Sequence, residues 1–233
     1  MKRYVALLAI LMVFVVVPVF AETSTDPEPT ILFRNNEWGS SLPEVLASFP
    51  DNVRFYNLDA DSAYQVEKTI IDEGRQYYNG HVCGYTYARS SSLTDMKVAG
   101  YDVSGITLRF AWVPGDDGLI VEDQDHTALY YAKYEITPKD PEAVLADLTT
   151  KLSSLYGEPD ATKTSGSVIK ETYTIWYGGE GSIVALVGRN YSSGSYEIEI
   201  RYATTQGNEM LQTAYDALIL QETLDAATSV DGL

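Results

Sequence analysis

The sequence predicts an α+β fold, an antiparallel sheet with amphipathic helices packed on one face, and three observations carry that expectation. Period-two alternation recurs through the middle of the chain. In 105–113 Ile106, Leu108, Phe110 and Trp112 alternate with Thr107, Arg109 and Ala111, and in 195–202 Tyr196, Ile198, Ile200 and Tyr202 alternate with Glu197, Glu199 and Arg201. Such stretches are half-buried strands with a charged outer face. Two other segments carry helix-start and helix-stop residues around apolar positions at helical spacing. The turn-rich pieces between strand-like runs, 114–118, 178–181 and 190–195, are short, which favours antiparallel pairing and leaves the face away from the helices wet.

The first helix follows the stretch FRNNEWGSSLPEVLASFP, Phe33 to Pro50. Ser41 and Glu44 have capping-box spacing, and Pro43 suits a first turn because the amide it lacks would be unpaired there. Leu42, Val45, Leu46 and Phe49 share one helical face, and Pro50 ends the run. On this reading Gly39 permits a chain reversal and Trp38 folds down as an apolar lid, so the Trp-Gly-Ser-Ser turn launches a helix. The second helix has Asp140 as N-cap and Pro141 at its first position, with Val144, Leu145, Leu148, Leu152 and Leu155 as its apolar row; Gly157 and Pro159 stop it. The fragments PEVLASF and PEAVLADL are alike, which points to two related helix-plus-strands units with a half-boundary near residue 138. Further strands are expected over 81–89, 96–103, 127–136, 167–177 and 181–188. A C-terminal helix is expected over 208–227 through Met210, Leu211, Ala214, Leu218 and Leu224, and another over 61–74, capped at Asp61 or Ser62.

The chain opens with Lys2, Arg3 and an apolar run from Val5 to Phe20, then Ala21 and a polar stretch. That layout is a secretory signal peptide over 1–21, cleaved after Ala21, with an uncleaved anchor as the alternative. Residues 22–31 read as a flexible leader, 32–227 as a single α+β domain and 228–233 as a disordered tail. The formal net charge of −17 becomes −19 when Lys2 and Arg3 leave. A chain this acidic repels nucleic acid and anionic lipid, so neither is an expected partner and no membrane insertion is expected after cleavage. Cys83 is the single cysteine; it reads as a small buried hydrophobe.

The residues bear on several chemistries. His81 and Cys83 are an i, i+2 pair, and His126 is the only other histidine, too few ligands for zinc unless carboxylates such as Asp125 join. Asp116, Asp117, Glu122, Asp123 and Asp125 surround a hairpin, and Asp59 and Asp61 stand close together. Neither set has the spacing of a calcium loop, so solvated acidic turns are favoured over calcium sites. There is no Gly-x-Ser-x-Gly elbow and no phosphate-cradling glycine loop. No catalytic residue, metal or cofactor is therefore assigned.

The elements FRNNEWGSSLPEV, VAGYDV, YYAKYEI, LSSLYGEPD, TYTIWY and IEIRYA occur in order over most of residues 31 to 203. In this the chain resembles a family of secreted proteins and lipoproteins of Gram-positive, often intestinal, bacteria whose function is unassigned. The resemblance implies an extracytoplasmic protein of the cell envelope and supplies no catalytic residues. A looser likeness, in architecture alone, is to helix-and-sheet repeat modules such as the β-lactamase inhibitor protein.

Large aromatics on an otherwise polar strand face can anchor a partner. Tyr131 shares its expected face with Thr127, Lys133 and Glu135, and Trp176 shares its own with Lys170, Thr172 and Thr174. Tyr131, Lys133, Lys170 and Trp176 are thus the candidate partner-binding residues, for a protein, peptide or glycan at the cell surface. Cover by the C-terminal helix or a loop is the competing explanation of these aromatics. The function expected is a secreted, non-catalytic binding protein; the alternative is an extracytoplasmic hydrolase using carboxylates or His126 near the acidic hairpin.

Overall fold

The alternating stretches pair into one antiparallel sheet of eight strands against which helices pack. The computed structural model describes residues 28–51, 53, 56–58, 85–90, 93, 96–121, 123–166 and 169–230. In chain order the elements are α1 (Leu42–Ala47), β1 (Tyr56–Leu58), β2 (Tyr85–Ser90), β3 (Lys97–Val98), β4 (Tyr101–Asp102), β5 (Gly105–Trp112), β6 (Thr127–Ile136), α2 (Pro141–Tyr156), β7 (Ala161–Ser165), β8 (Lys170–Tyr177), β9 (Ser182–Asn190), β10 (Tyr196–Thr204) and α3 (Gly207–Val230). The main sheet runs β1-β2-β5-β6-β10-β9-β8-β7, and β3 with β4 forms a separate small hairpin. Among the described residues no helix is long and apolar enough to cross a membrane.

This order has an internal logic. A helix, α1, precedes one four-stranded meander, β1-β2-β5-β6; a second helix, α2, precedes another, β7-β8-β9-β10. The two meanders join through their last strands, β6 and β10. At that seam Lys133 lies opposite Arg201, each followed by a tyrosine, Tyr134 and Tyr202. The 137–140 connection leads from β6, the last strand of the first meander, to α2.

Helix α1 is launched as its sequence predicts. Gly39 turns with φ +92, a conformation that glycine adopts without a Cβ penalty. Its amide donates to Leu129 O at 2.9 Å, and the Leu129 amide donates to Ser40 O at 2.8 Å. The Glu44 carboxylate accepts from the Ser41 amide (2.8 Å) and hydroxyl (3.0 Å), and the Leu42 amide donates to Thr127 Oγ1 at 2.8 Å. The Trp38 indole packs on the core and donates to Ile31 O at 3.0 Å. Leu42 and Val45 then sit in the core with Phe33, whose ring lies 5.2 Å from Tyr134 and 5.5 Å from Tyr202.

Helix α2 lies over β9 and β10. Asp140 Oδ1 accepts from the Ala143 amide at 3.2 Å, and Leu148 and Leu152 are buried against Leu186, Ile198 and Ile200. Leu155, assigned to the apolar row from its spacing, is 71% exposed and points away from it. Gly157 ends the helix, and its carbonyl accepts the Trp176 indole N–H at 3.0 Å. Helices α1 and α2 thus share one face of the sheet, the first face. Helix α3 packs on β5 and β6, and its buried Leu211, Ala214 and Ala217 stand outside the core beneath α1 and α2. The residues of β5 and β6 left for it are Ala111, Ala128 and Tyr131, all buried on the opposite, second face.

The second face is therefore not uniformly wet. Thr107, Glu199 and Arg201 are buried on it, and so are Ile175, Ile183, Ala185 and Val187. A β-bulge explains one further departure. Arg109 pairs with Tyr131 but Phe110 pairs with Leu129, so Tyr130 is an extra residue and the alternation changes phase. Thr127, expected on the face of Tyr131, lies on the other side, where it receives the Leu42 amide.

The domain starts earlier than the composition of 22–31 suggests. Gly179 N donates to Pro29 O at 3.1 Å, Ile31 N donates to Ser182 Oγ at 2.7 Å, and Ile31 is buried in the core. The chain from Pro29 onward thus belongs to the domain. The glycines of 178–181 allow this passage: a Cβ on Gly178 would overlap Ile31, and one on Gly179 would overlap the Glu28 carbonyl oxygen. At the other end α3 continues to Val230, into the segment expected to be a disordered tail. The 96–103 stretch is a hairpin, not one strand, because Ala99 (φ +52) and Gly100 (φ +90) reverse the chain between β3 and β4. The expected helix over 61–74, with His81 and Cys83, lies outside the described residues.

The clasp gives a clean comparison. Gly194→Ala has open space around the new Cβ and only its left-handed backbone (φ +82) to oppose it, costing about 1–2 kcal/mol. Gly179→Ala meets a backbone oxygen that cannot rotate away, so its denaturation midpoint should drop further than that of Gly194→Ala. Equal drops in urea unfolding would show that the leader is not clasped at Gly179.

Candidate functional site

Ionisable groups converge at the seam, on the second face. Position parity puts Lys133 and Glu135 of β6, Glu197, Glu199 and Arg201 of β10, Arg189 of β9 and Glu171 of β8 on that side. Glu199, fully buried, is the hub. Its Oε1 accepts from Lys133 Nζ at 2.9 Å and from Arg189 Nη1 at 3.0 Å; its Oε2 accepts from Arg201 Nε at 2.5 Å and also from Arg201 Nη2. Arg189 Nε continues to Glu171 Oε1 at 2.6 Å, Glu171 accepts the Tyr173 hydroxyl, and Lys133 also reaches Glu135 at 2.9 Å. Tyr191 donates to Glu197 Oε2 at 2.8 Å.

The electrostatics follow from this geometry. Burial opposes charge on Glu199, but Arg201, Lys133 and Arg189 overcome it and hold the carboxyl below the ordinary glutamate range. Burial likewise works against Lys133, and Glu199 outweighs it, keeping the ammonium charged above the usual lysine value. At Glu171 burial is outweighed by the Tyr173 hydroxyl and Arg189, and its pKa is lowered. Tyr131 is pushed up by burial, with the Arg109 guanidinium 5.0 Å from its ring centre.

The carboxylate oxygens of Glu135, Glu197 and Glu199 lie within 4.8 Å of one another, a grouping that could hold a metal ion. Here, however, both oxygens of Glu199 already receive cationic donors, so a metal would have to displace an ammonium and a guanidinium. A carboxylate fixed in this way is a poor general base and a poorer acid, since its neighbours stabilise the ionised form. The cluster is built to hold charge still. What it does hold is register, because Lys133, Glu199 and Arg189 belong to three adjacent strands.

No family model, curated protein or solved structure matches this chain. Its site must be read from its own geometry.

The four candidate partner-binding residues do not form one surface. Trp176 is wholly buried on the first face, opposite Val184 and under the end of α2. Tyr131 is 6% exposed on the second face, beside the seam. An aromatic on a polar-looking strand was in each case explained by cover: α2 and its cap for Trp176, and the α3 side of the sheet for Tyr131. Lys133 is committed to Glu199 and Glu135. Lys170 is exposed at the start of β8, on the face of Trp176 but about 20 Å from it along the strand. Tyr131 and Trp176, buried on opposite faces, therefore do not form an exposed anchor pair. The acidic hairpin between β5 and β6 behaves as solvated turns: Asp117 Oδ1 accepts the Leu119 amide and Asp123 Oδ1 accepts the Asp125 amide, with all four side chains Asp116, Asp117, Asp123 and Asp125 exposed. His126 Nδ1 is buried there without a hydrogen-bond partner, so no carboxylate holds that nitrogen as in a base–orienter pair.

Sequence reasoning missed Glu199 as a hub because Glu197, Glu199 and Arg201 alternate like a solvated face. The available signal was charge balance across strands: Lys-x-Glu in β6, Glu-x-Glu-x-Arg in β10 and Arg189 in β9 supply three cations and three carboxylates.

Glu199→Gln leaves three cations with a neutral partner in a buried site and should lower stability by about 3–5 kcal/mol. Glu197→Gln, which loses a hydrogen bond from one tyrosine, should cost about 1 kcal/mol. Similar losses in denaturant titrations would remove Glu199 from its central role. The lowered pKa values of Glu199 and Glu171 add a pH dependence. Their contribution is present above the unfolded-state glutamate value of about 4.3 and fades as pH falls towards the folded values, so wild-type stability should decline steeply below about pH 4.5. Glu199→Gln should show a shallower decline, measured by urea unfolding at a series of pH values.

Proposed function

We propose that this protein is an extracytoplasmic, non-catalytic binding protein of the bacterial cell envelope, taking a protein, peptide or glycan partner. One observation carries the reading: the dense ionisable cluster among the described residues is a closed ion-pair lattice, with its carboxylates held ionised by fixed cations. Catalysis by paired carboxylates needs one group whose proton affinity is raised beside one that stays charged. Glu199 and Glu171 are both shifted downward, which supports a stabilising role. The signal-peptide layout, the acidic chain and the resemblance to secreted Gram-positive proteins support the compartment. With Tyr131 and Trp176 buried, the binding surface belongs outside the sheet seam.

Two assays separate this reading from the hydrolase alternative. A panel of glycoside and peptide substrates should show no turnover above a heat-denatured control, for the wild type and for Asp125→Asn and His126→Ala alike. Immobilised protein should retain a saturable partner from an envelope extract, reproduced with that partner purified. Turnover that disappears in either variant would overturn the proposal in favour of a hydrolase.

A further inference from the structure

Two elements remote in sequence come together at the outer half of α3. The helix buries Leu211, Ala214 and Ala217 in its first turns, but every side chain from Glu222 to Thr228 is exposed. Ile219, Leu220 and Leu224 are 41–44% exposed, an apolar row that the described residues cover only in part. Leu220 Cδ2 lies 3.7 Å from where a Cβ on Gly118 would stand, so the row abuts the tip of the β5–β6 hairpin. That tip carries Asp116 and Asp117, both exposed. The helix adds Asp216, Glu222 and Asp225, and neither α3 nor residues 113–126 contain a lysine or arginine. The strip thus has Asp216 one turn before Leu220, Glu222 one turn after Ile219 and the acidic hairpin tip beside Leu220, with no basic residue in either element.

We propose that this ridge docks a cationic amphipathic helix, apolar on one side and rich in Lys or Arg on the other. This rests on the binding reading above and names its partner's chemistry. A helix packs on another helix through apolar residues at i, i+4 spacing, which Leu220 and Leu224 supply with Ile219 beside them. The rim discriminates against the other natural occupant, a second copy: pairing α3 with α3 would bring Asp216, Glu222 and Asp225 against their own kind, and like charges at close range are destabilising. A basic helix would instead meet carboxylates from both elements, with long Lys or Arg stems lying over the apolar row. Attraction to so acidic a chain is long-ranged, but the apolar strip makes it specific for amphipathic periodicity.

The test uses an 18-residue Leu/Lys peptide with helical period and a scrambled peptide of the same composition, titrated at about 0.15 M salt. The periodic peptide should bind at least about tenfold more tightly than the scrambled one. The exposed-site variant Ile219→Ser/Leu224→Ser should lose about tenfold for the periodic peptide only, with unchanged unfolding. Asp116→Asn/Glu222→Gln should weaken both peptides and flatten the salt dependence. Equal binding of the two peptides, or undiminished binding by the Ser double variant, would reduce the effect to net charge and overturn the proposal. So would self-association of the protein that the Ser variant abolishes, which would make a second copy the occupant. If the envelope partner were retained equally by wild type and Ser variant, the binding reading would stand and this surface would fall.

Discussion

One carboxylate organises the second face. Glu199 is removed from water, a state costing several kcal/mol for a lone ion, and three cations answer it from its own strand and the two beside it. Lys133 comes from the first meander, Arg189 and Arg201 from the second. The tie between the halves is thus electrostatic on one side of the seam and aromatic on the other, where Tyr134 and Tyr202 meet edge to face at 6.3 Å. A one-residue slip of β10 would turn Glu199 and Arg201 to the first face and drive Ile198 and Ile200 among the charges, so the lattice and the core enforce the same pairing.

The same seam explains where the alternation in the sequence misleads. Period two reports that successive side chains point to opposite sides, and that much was legible: β5, β6, β8, β9 and β10 occur close to where alternation puts them. So were both helix starts, because Ser41, Glu44, Asp140 and Pro141 act within one turn. Alternation does not report what lies above each side. Arg201 and Glu199 look solvated by residue type yet are buried, and Trp176 looks stranded among threonines yet lies under the end of α2. The bulge at Tyr130 is equally silent, since an extra residue in a strand changes facing without changing composition. Edge strand β7, Ala161 to Ser165, carries one apolar residue among polar ones and offers no alternation to detect.

Function is less legible for a related reason. The charged residues that draw the eye along the strands are spent on one another. Hydrophobic residues past the packed turns of α3 attract less notice, because helical spacing alone cannot say where a helix leaves its support. On the proposed reading two roles are separate in space: the ion-pair lattice ties the strands of the seam together, and the half-exposed apolar row of α3 at the margin is where a partner would approach.

The clasp at 178–181 also bears on how the chain acquires its shape. Ile31 reaches Ser182 across 151 positions, and the Thr205 amide donates to Gly181 O at 2.9 Å, so entry to the first half and exit from the last strand close on one turn. Contacts of such long sequence separation carry a large loop-closure entropy and retard folding. A nascent chain emerging N-terminus first therefore cannot complete its core until nearly all of it has been synthesised.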